Sequence, residues 1–186
     1  MFNVKTWVSY DTWLSDPTPM EEVEKNFYVL DELENEAILR NLMNLNNEDS
    51  PHIFTGFVQV TYNDKEIFGQ TIFSLINHVW ATYENLLIET YEKGYANLPH
   101  PEGDITAITV QTNKKDNTLL DISVFPDFLE SRKDFSLPKQ PFLKAMYDAF
   151  VAYYTTYASY CENEEIKQNY LYHLDIIKKR LSSYIS

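Results

Sequence analysis

The first ten residues alternate. Phe2, Val4, Val8 and Tyr10 share one parity, and Asn3, Lys5 and Ser9 occupy the other. A period of two marks a strand with one face against a core. Trp7 interrupts the alternation and is placed to cover the second face. Asp16-Pro17-Thr18-Pro19 then punctuates the chain. Proline suits the first turn of a helix, and Glu21, Glu22 and Glu24 complement its positive end. Val23, Phe27, Leu30, Ile38 and Leu42 fall roughly on one face. Together these predict a helix from about Pro19 into the Asn44–Asn47 region, with the polar run Asp31, Glu32, Glu34 and Glu36 as the place where it can break. Asn46 to Pro51 reads as a loop.

From Ile53 to Tyr62 the chain is rich in β-formers, with Val58, Val60 and Tyr62 on one side. Asn63-Asp64 is a turn signal, and Glu66-Ile67-Phe68 can return as a second strand. Gly69 ends it. Ile72, Ile76, Val79, Tyr83, Leu87 and Tyr91 repeat at three to four residues, which predicts a helix over Gln70–Lys93 stopped by Gly94. Leu98 to Gly103 reads as a loop. Ile108 and Val110, then Leu120, Ile122 and Val124, alternate around the polar turn at 113–117 and predict a hairpin. The remainder reads as helical. Phe142, Met146, Phe150, Tyr153, Tyr157 and Tyr160 make one amphipathic stretch. Ile166, Tyr170, Leu174, Ile177, Leu181 and Tyr184 make another, with Asn163 as its cap. One bent helix and two separate helices are both compatible with 141–184.

Hairpins pair antiparallel. The expected class is therefore α+β: an antiparallel sheet of about five strands, from the N-terminal strand plus two hairpins. Helices pack mainly on one face and the C-terminus is helical. With 186 residues, 44% of them hydrophobic, the expectation is a single domain over 1–186 that needs no staple to hold its core. The one cysteine, Cys161, excludes a disulfide scaffold. The alternating start does not read as a signal peptide, and no apolar run reaches membrane length, so a cytoplasmic protein is expected. Twelve lysines against three arginines, with many asparagines, suit an AT-rich bacterial genome.

Charge narrows the function classes. The formal net charge is -13, and residues 1–50 alone hold 11 acidic against 3 basic groups. Such a field repels phosphate backbones and attracts basic partners, so nucleic-acid binding is disfavoured. The four glycines, at 56, 69, 94 and 103, are too widely spaced for a Walker loop or a dinucleotide fingerprint. His52, His78, His100 and His173 include no pair at the spacing that aims two imidazoles from one helix face. No metal and no cofactor is expected. Carboxylates crowd the sequence around Cys161, which opposes thiolate formation and argues for a structural cysteine.

Three readings remain. Eight of fourteen tyrosines lie between Tyr147 and Tyr184, and tyrosine suits surfaces that are wet in one state and dry in another. The first reading is a small protein-binding or inhibitory domain, of bacterial immunity or antitoxin type, that caps a basic protein. Asp31, Glu32, Glu34 and Glu36 would steer the partner, and Tyr153, Tyr154 and Tyr157 would anchor it. The second is an enzyme without a short motif, using His100 with Glu102 or Asp104 on the loop at 99–104. The third is a self-associating domain in which tyrosine-rich helices form a homodimer seam.

Overall fold

The computed structural model describes residues 1–10, 18–44, 53–70, 72–99, 106–125 and 132–184. Its first sheet is built on a long antiparallel pair. Strand β1 (Phe2–Ser9) lies against a later strand, Thr55–Tyr62, from Phe2 opposite Tyr62 to Ser9 opposite Thr55. The crossing is tight at Gly56, where an added Cβ would sit 2.0 Å from the Trp7 carbonyl oxygen.

The segment between these strands is not one helix. It divides into α1 (Met20–Asn26), a two-residue strand β2 (Tyr28–Val29), a 3-10 turn (Leu33–Asn35) and α2 (Glu36–Asn44). Tertiary contacts outweigh helical propensity here. Val29 pairs with Trp7, and the Leu30 N–H donates to the Thr6 carbonyl at 2.9 Å. That hold keeps the chain extended where a helix would otherwise continue. Val23, Phe27 and Val29 then bury Trp7 and Phe57 on the second face of the sheet, the face that Trp7 was expected to cover.

The long strand Thr55–Tyr62 is β3, and it turns into β4 (Lys65–Phe68) through Asn63 and Asp64 at φ 49° and 62°. The next helix, α3 (Ile76–Lys93), begins six residues later than the periodicity predicts. Phe73 to Leu75 form strand β5 on the first residues of β3, with Phe73 opposite Phe57. Gly94 stops α3 in the left-handed conformation at φ 72°.

A second sheet follows, in the order β6 (Tyr95–Pro99), β7 (Thr106–Thr112), β8 (Leu119–Val124) and β9 (Lys133–Pro138). All its pairings are antiparallel. The fold is thus α+β with a helical C-terminus, and the nine strands of the described residues make two sheets rather than one of about five. The expected loop beginning at Leu98 starts inside β6, and β9 lies where the sequence reads as helix. The C-terminal region is two helices, α4 (Lys139–Tyr160) and α5 (Glu164–Leu181). The Asn163 side chain caps α5, its Oδ1 accepting from the N–H groups of Glu165 and Ile166 at 3.1 and 3.2 Å.

One continuous core joins both sheets to α2, α3, α4 and α5, from Val8 on β1 to Leu181 on α5. Among the described helices, α1 alone lies on the other face of the first sheet, over the smaller cluster. Among the described residues no helix is long and apolar enough to cross a membrane.

Candidate functional site

Helix α2 and the end of α4 meet at one corner of the molecule, and the contact is polar. Arg40 lies over the Tyr160 ring, 5.2 Å from its centre, and donates to the Ser159 carbonyl. Asn44 donates from Nδ2 to the Tyr160 carbonyl at 2.8 Å, and its Oδ1 accepts from the Glu162 N–H at 3.3 Å. The Tyr160 hydroxyl donates to the Leu30 carbonyl at 2.9 Å. These bonds seat residues 30–44 on α4 and tie the backbone of Glu162 to the end of α2. Burial pushes the Tyr160 phenol up, Glu36 and Asp31 add to the rise, and Arg40 opposes it.

Four carboxylates of this segment were expected to steer a partner. Two are engaged: Glu32 accepts from Lys5 Nζ at 3.0 Å, and Glu36 from Arg40 at 2.9 Å. Asp31 and Glu34 are exposed and have no ion-pair partner among the described residues. Leu33 projects between them, 88% exposed, and Ile38 on α2 is 44% exposed. Both escaped the sequence reading, which placed Ile38 on one face with Val23, Phe27, Leu30 and Leu42 in a helix able to break at 31–36. The break at 27–35 rotates α2 so that Leu39 and Met43 face the core instead. The available signal was Leu33 itself, the lone apolar residue within Asp31–Glu36.

The tyrosines are placed otherwise than expected. Tyr153, Tyr154 and Tyr157 are 1%, 7% and 0% exposed. Tyr153 stacks on Trp80 of α3 at 5.4 Å. Tyr154 lies between Tyr170 and His173 of α5, and Tyr157 packs on Phe54 and Tyr170. They fill the joint between helices, and burial keeps them from the anchoring role expected of them. Burial raises their hydroxyl pKa values, and that of Tyr83 too. Trp80 Nε1, Tyr83 Oη, Tyr153 Oη and Thr90 Oγ1 are buried without a hydrogen-bond partner among the described residues.

His100, Glu102 and Asp104 lie outside the described residues. His78 is exposed on α3, and His173 Nε2 lies 2.7 Å from Glu84 Oε2, tying α5 to α3. Among the described residues no three potential ligands gather for a metal. Burial raises the Cys161 pKa, and its thiol lies 3.5 Å from the Asn163 carbonyl. An open depression of about 520 Å³ lies where β8 and β9 meet the start of α4. Its one charged side chain, Lys139, donates to Thr112 Oγ1 at 3.0 Å, and no acid–base pair lines it.

What the arrangement offers, then, is an acidic corner with protruding apolar side chains on an α+β fold of two antiparallel sheets. No protein-family model, curated protein or solved structure matched the chain.

Proposed function

We propose that this chain is a protein-binding domain that caps a basic partner through the corner formed by Asp31–Ile38. The observation that carries the reading is Leu33, 88% exposed between Asp31 and Glu34, two carboxylates with no ion-pair partner among the described residues. An exposed leucine desolvates readily against an apolar pocket, and the carboxylates around it select a pocket with a cationic rim. Long-range attraction from the acidic first fifty residues speeds the encounter, and Leu33 and Ile38 slow the escape. A small cytoplasmic protein of immunity or antitoxin type, blocking a basic bacterial toxin, fits this division of labour.

The test is a paired capture. Wild-type chain and the Leu33→Ala/Glu34→Lys variant are immobilised side by side and exposed to source-cell lysate at low and high salt. The reading expects one basic protein held by the wild type at low salt, shed at high salt and absent from the variant. Identical retention by both chains overturns the assignment of the corner.

A further inference from the structure

The outward face of α5 carries a stripe at helical spacing: Glu165, Gln168, Tyr172, Ile176 and Lys179, all exposed. Tyr172 is 68% and Ile176 43% exposed. The helix seats Leu174, Ile177 and Leu181 in the core, and that register turns Tyr172 and Ile176 away from it. Glu165 lies two turns before Tyr172 and Lys179 two turns after it, roughly 10 Å along the axis in each direction. The stripe reads acid, amide, aromatic, aliphatic, base. Turned end for end, its acid meets its base and its aromatic meets itself.

We propose that α5 is the seam of an antiparallel homodimer whose two-fold axis passes at Tyr172. Tyr172 of one copy then meets Tyr172 of the other, Gln168 meets Ile176, Asn169 meets Asp175, and Glu165 meets Lys179. Such a contact is isologous and closes at two copies. Lys179, now 2.6 Å from Asp175 of its own helix, turns to Glu165 of the second copy, and the Asn169 amide takes its place on Asp175. The charge distribution permits the approach. Residues 151–186 hold four acidic and four basic groups, whereas residues 1–50 hold eleven acidic and three basic. The segment that carries the seam thus has no net formal charge, although each copy carries -13 in all. One helix face buries well under the roughly 800 Å² per partner of a standard interface. The dimer is accordingly weak, with a dissociation constant on the order of 0.1 mM. This inference does not depend on the acidic corner.

Sedimentation equilibrium at low salt, from about 10 μM to about 1 mM, brackets that constant. The expected result is an average mass that climbs from 21.9 kDa toward twice that value. Glu165→Lys and Lys179→Glu each strike the seam twice, and each weakens dimerisation by about tenfold. The combined Glu165→Lys/Lys179→Glu chain regains wild-type association, because the reversed stripe is again self-complementary. Disulfide trapping fixes the direction. Tyr172→Cys cross-links to itself on the axis. Gln168→Cys alone does not, since its two copies lie roughly 12 Å apart along the seam, beyond disulfide reach. Cys161, 4% exposed, does not compete. All these positions are on the surface, and thermal melts verify that each variant folds. A monomer throughout the concentration range overturns the proposal. So does a double reversal that stays as weak as the single ones, or a Gln168→Cys chain that cross-links as readily as Tyr172→Cys.

Discussion

Two regions of this protein are unusual in composition, and the fold treats them oppositely. The acidic run at 31–36 stays in water and pushes Leu33 outward. The tyrosine-rich run at 153–160 is drawn inward and packed on Trp80, Phe54 and Tyr170. Both runs look like interfaces by composition alone. The difference is what the rest of the chain supplies. Helices α3 and α5 bring apolar and aromatic area to α4, so its tyrosines find an interface within their own chain. Nothing among the described residues covers Leu33. Tyrosine is ambiguous because its ring favours burial whether the covering surface is intramolecular or not.

The sharpest way to break this comparison is to truncate one residue from each region. Tyr153→Ala removes a buried ring stacked on Trp80. It costs about 3–5 kcal/mol of stability, read from the midpoint of urea unfolding. Leu33→Ala leaves stability within about 0.5 kcal/mol, because the side chain gains little burial on folding. Its effect is on partner binding, where an apolar anchor is worth about 2 kcal/mol, near thirtyfold in affinity. If Tyr153→Ala proved mild and Leu33→Ala severe for stability, the two regions would have to exchange roles.

Extremes of pH separate them next. Tyr83, Tyr153, Tyr154 and Tyr157 have folded pKa values raised by burial. The unfolded chain ionises its tyrosines near pH 10. Above that pH the unfolded state loses protons that the folded state keeps. Stability is therefore intact below pH 10 and falls as pH rises beyond it, by about 1.4 kcal/mol per pH unit for each such tyrosine. Spectrophotometric titration should show these phenols ionising only as the fold is lost, together in one transition. The acidic corner should respond to salt instead. Asp31→Lys/Glu34→Lys slows association with a basic partner by about tenfold at low salt, and the deficit narrows at high salt. Stopped-flow association rates at two ionic strengths read this out.

Much of the fold was legible because its signals are local. Alternation marked β1, β3, β7 and β8, Gly94 marked the end of α3, and Asn163 marked the start of α5. The misses share a cause. Val29, Phe73 and Phe135 lie on short strands whose shape is set by partners distant in sequence: Trp7, Phe57 and Ile122. No spacing rule contains that information, and Phe73 even continues the helical period of α3. The candidate site was half legible for the same reason. The carboxylates of 31–36 could be found from charge. The exposure of Ile38 could not, because it follows from Leu30 bonding to Thr6 and ending the helix expected there.

The smallest effect probes how closely the tyrosine interior is matched to its own needs. A surface tyrosine can satisfy its hydroxyl in water, whereas Tyr83 and Tyr153 are buried with hydroxyls that no described residue satisfies. Leaving such a group unpaired costs about 1–3 kcal/mol. Phenylalanine keeps the ring and removes the group, so the burial energy is retained and the penalty is relieved. Tyr153→Phe and Tyr83→Phe are accordingly expected to raise stability by about 1 kcal/mol each. A loss of similar size would instead show that a buried water completes the hydroxyls, since removing the hydroxyl would then strand the water. The unfolding midpoint of each variant decides between the two signs. Either sign locates the weakness of this region in its polar atoms, whereas the corner at Leu33 carries its unsatisfied surface in apolar ones.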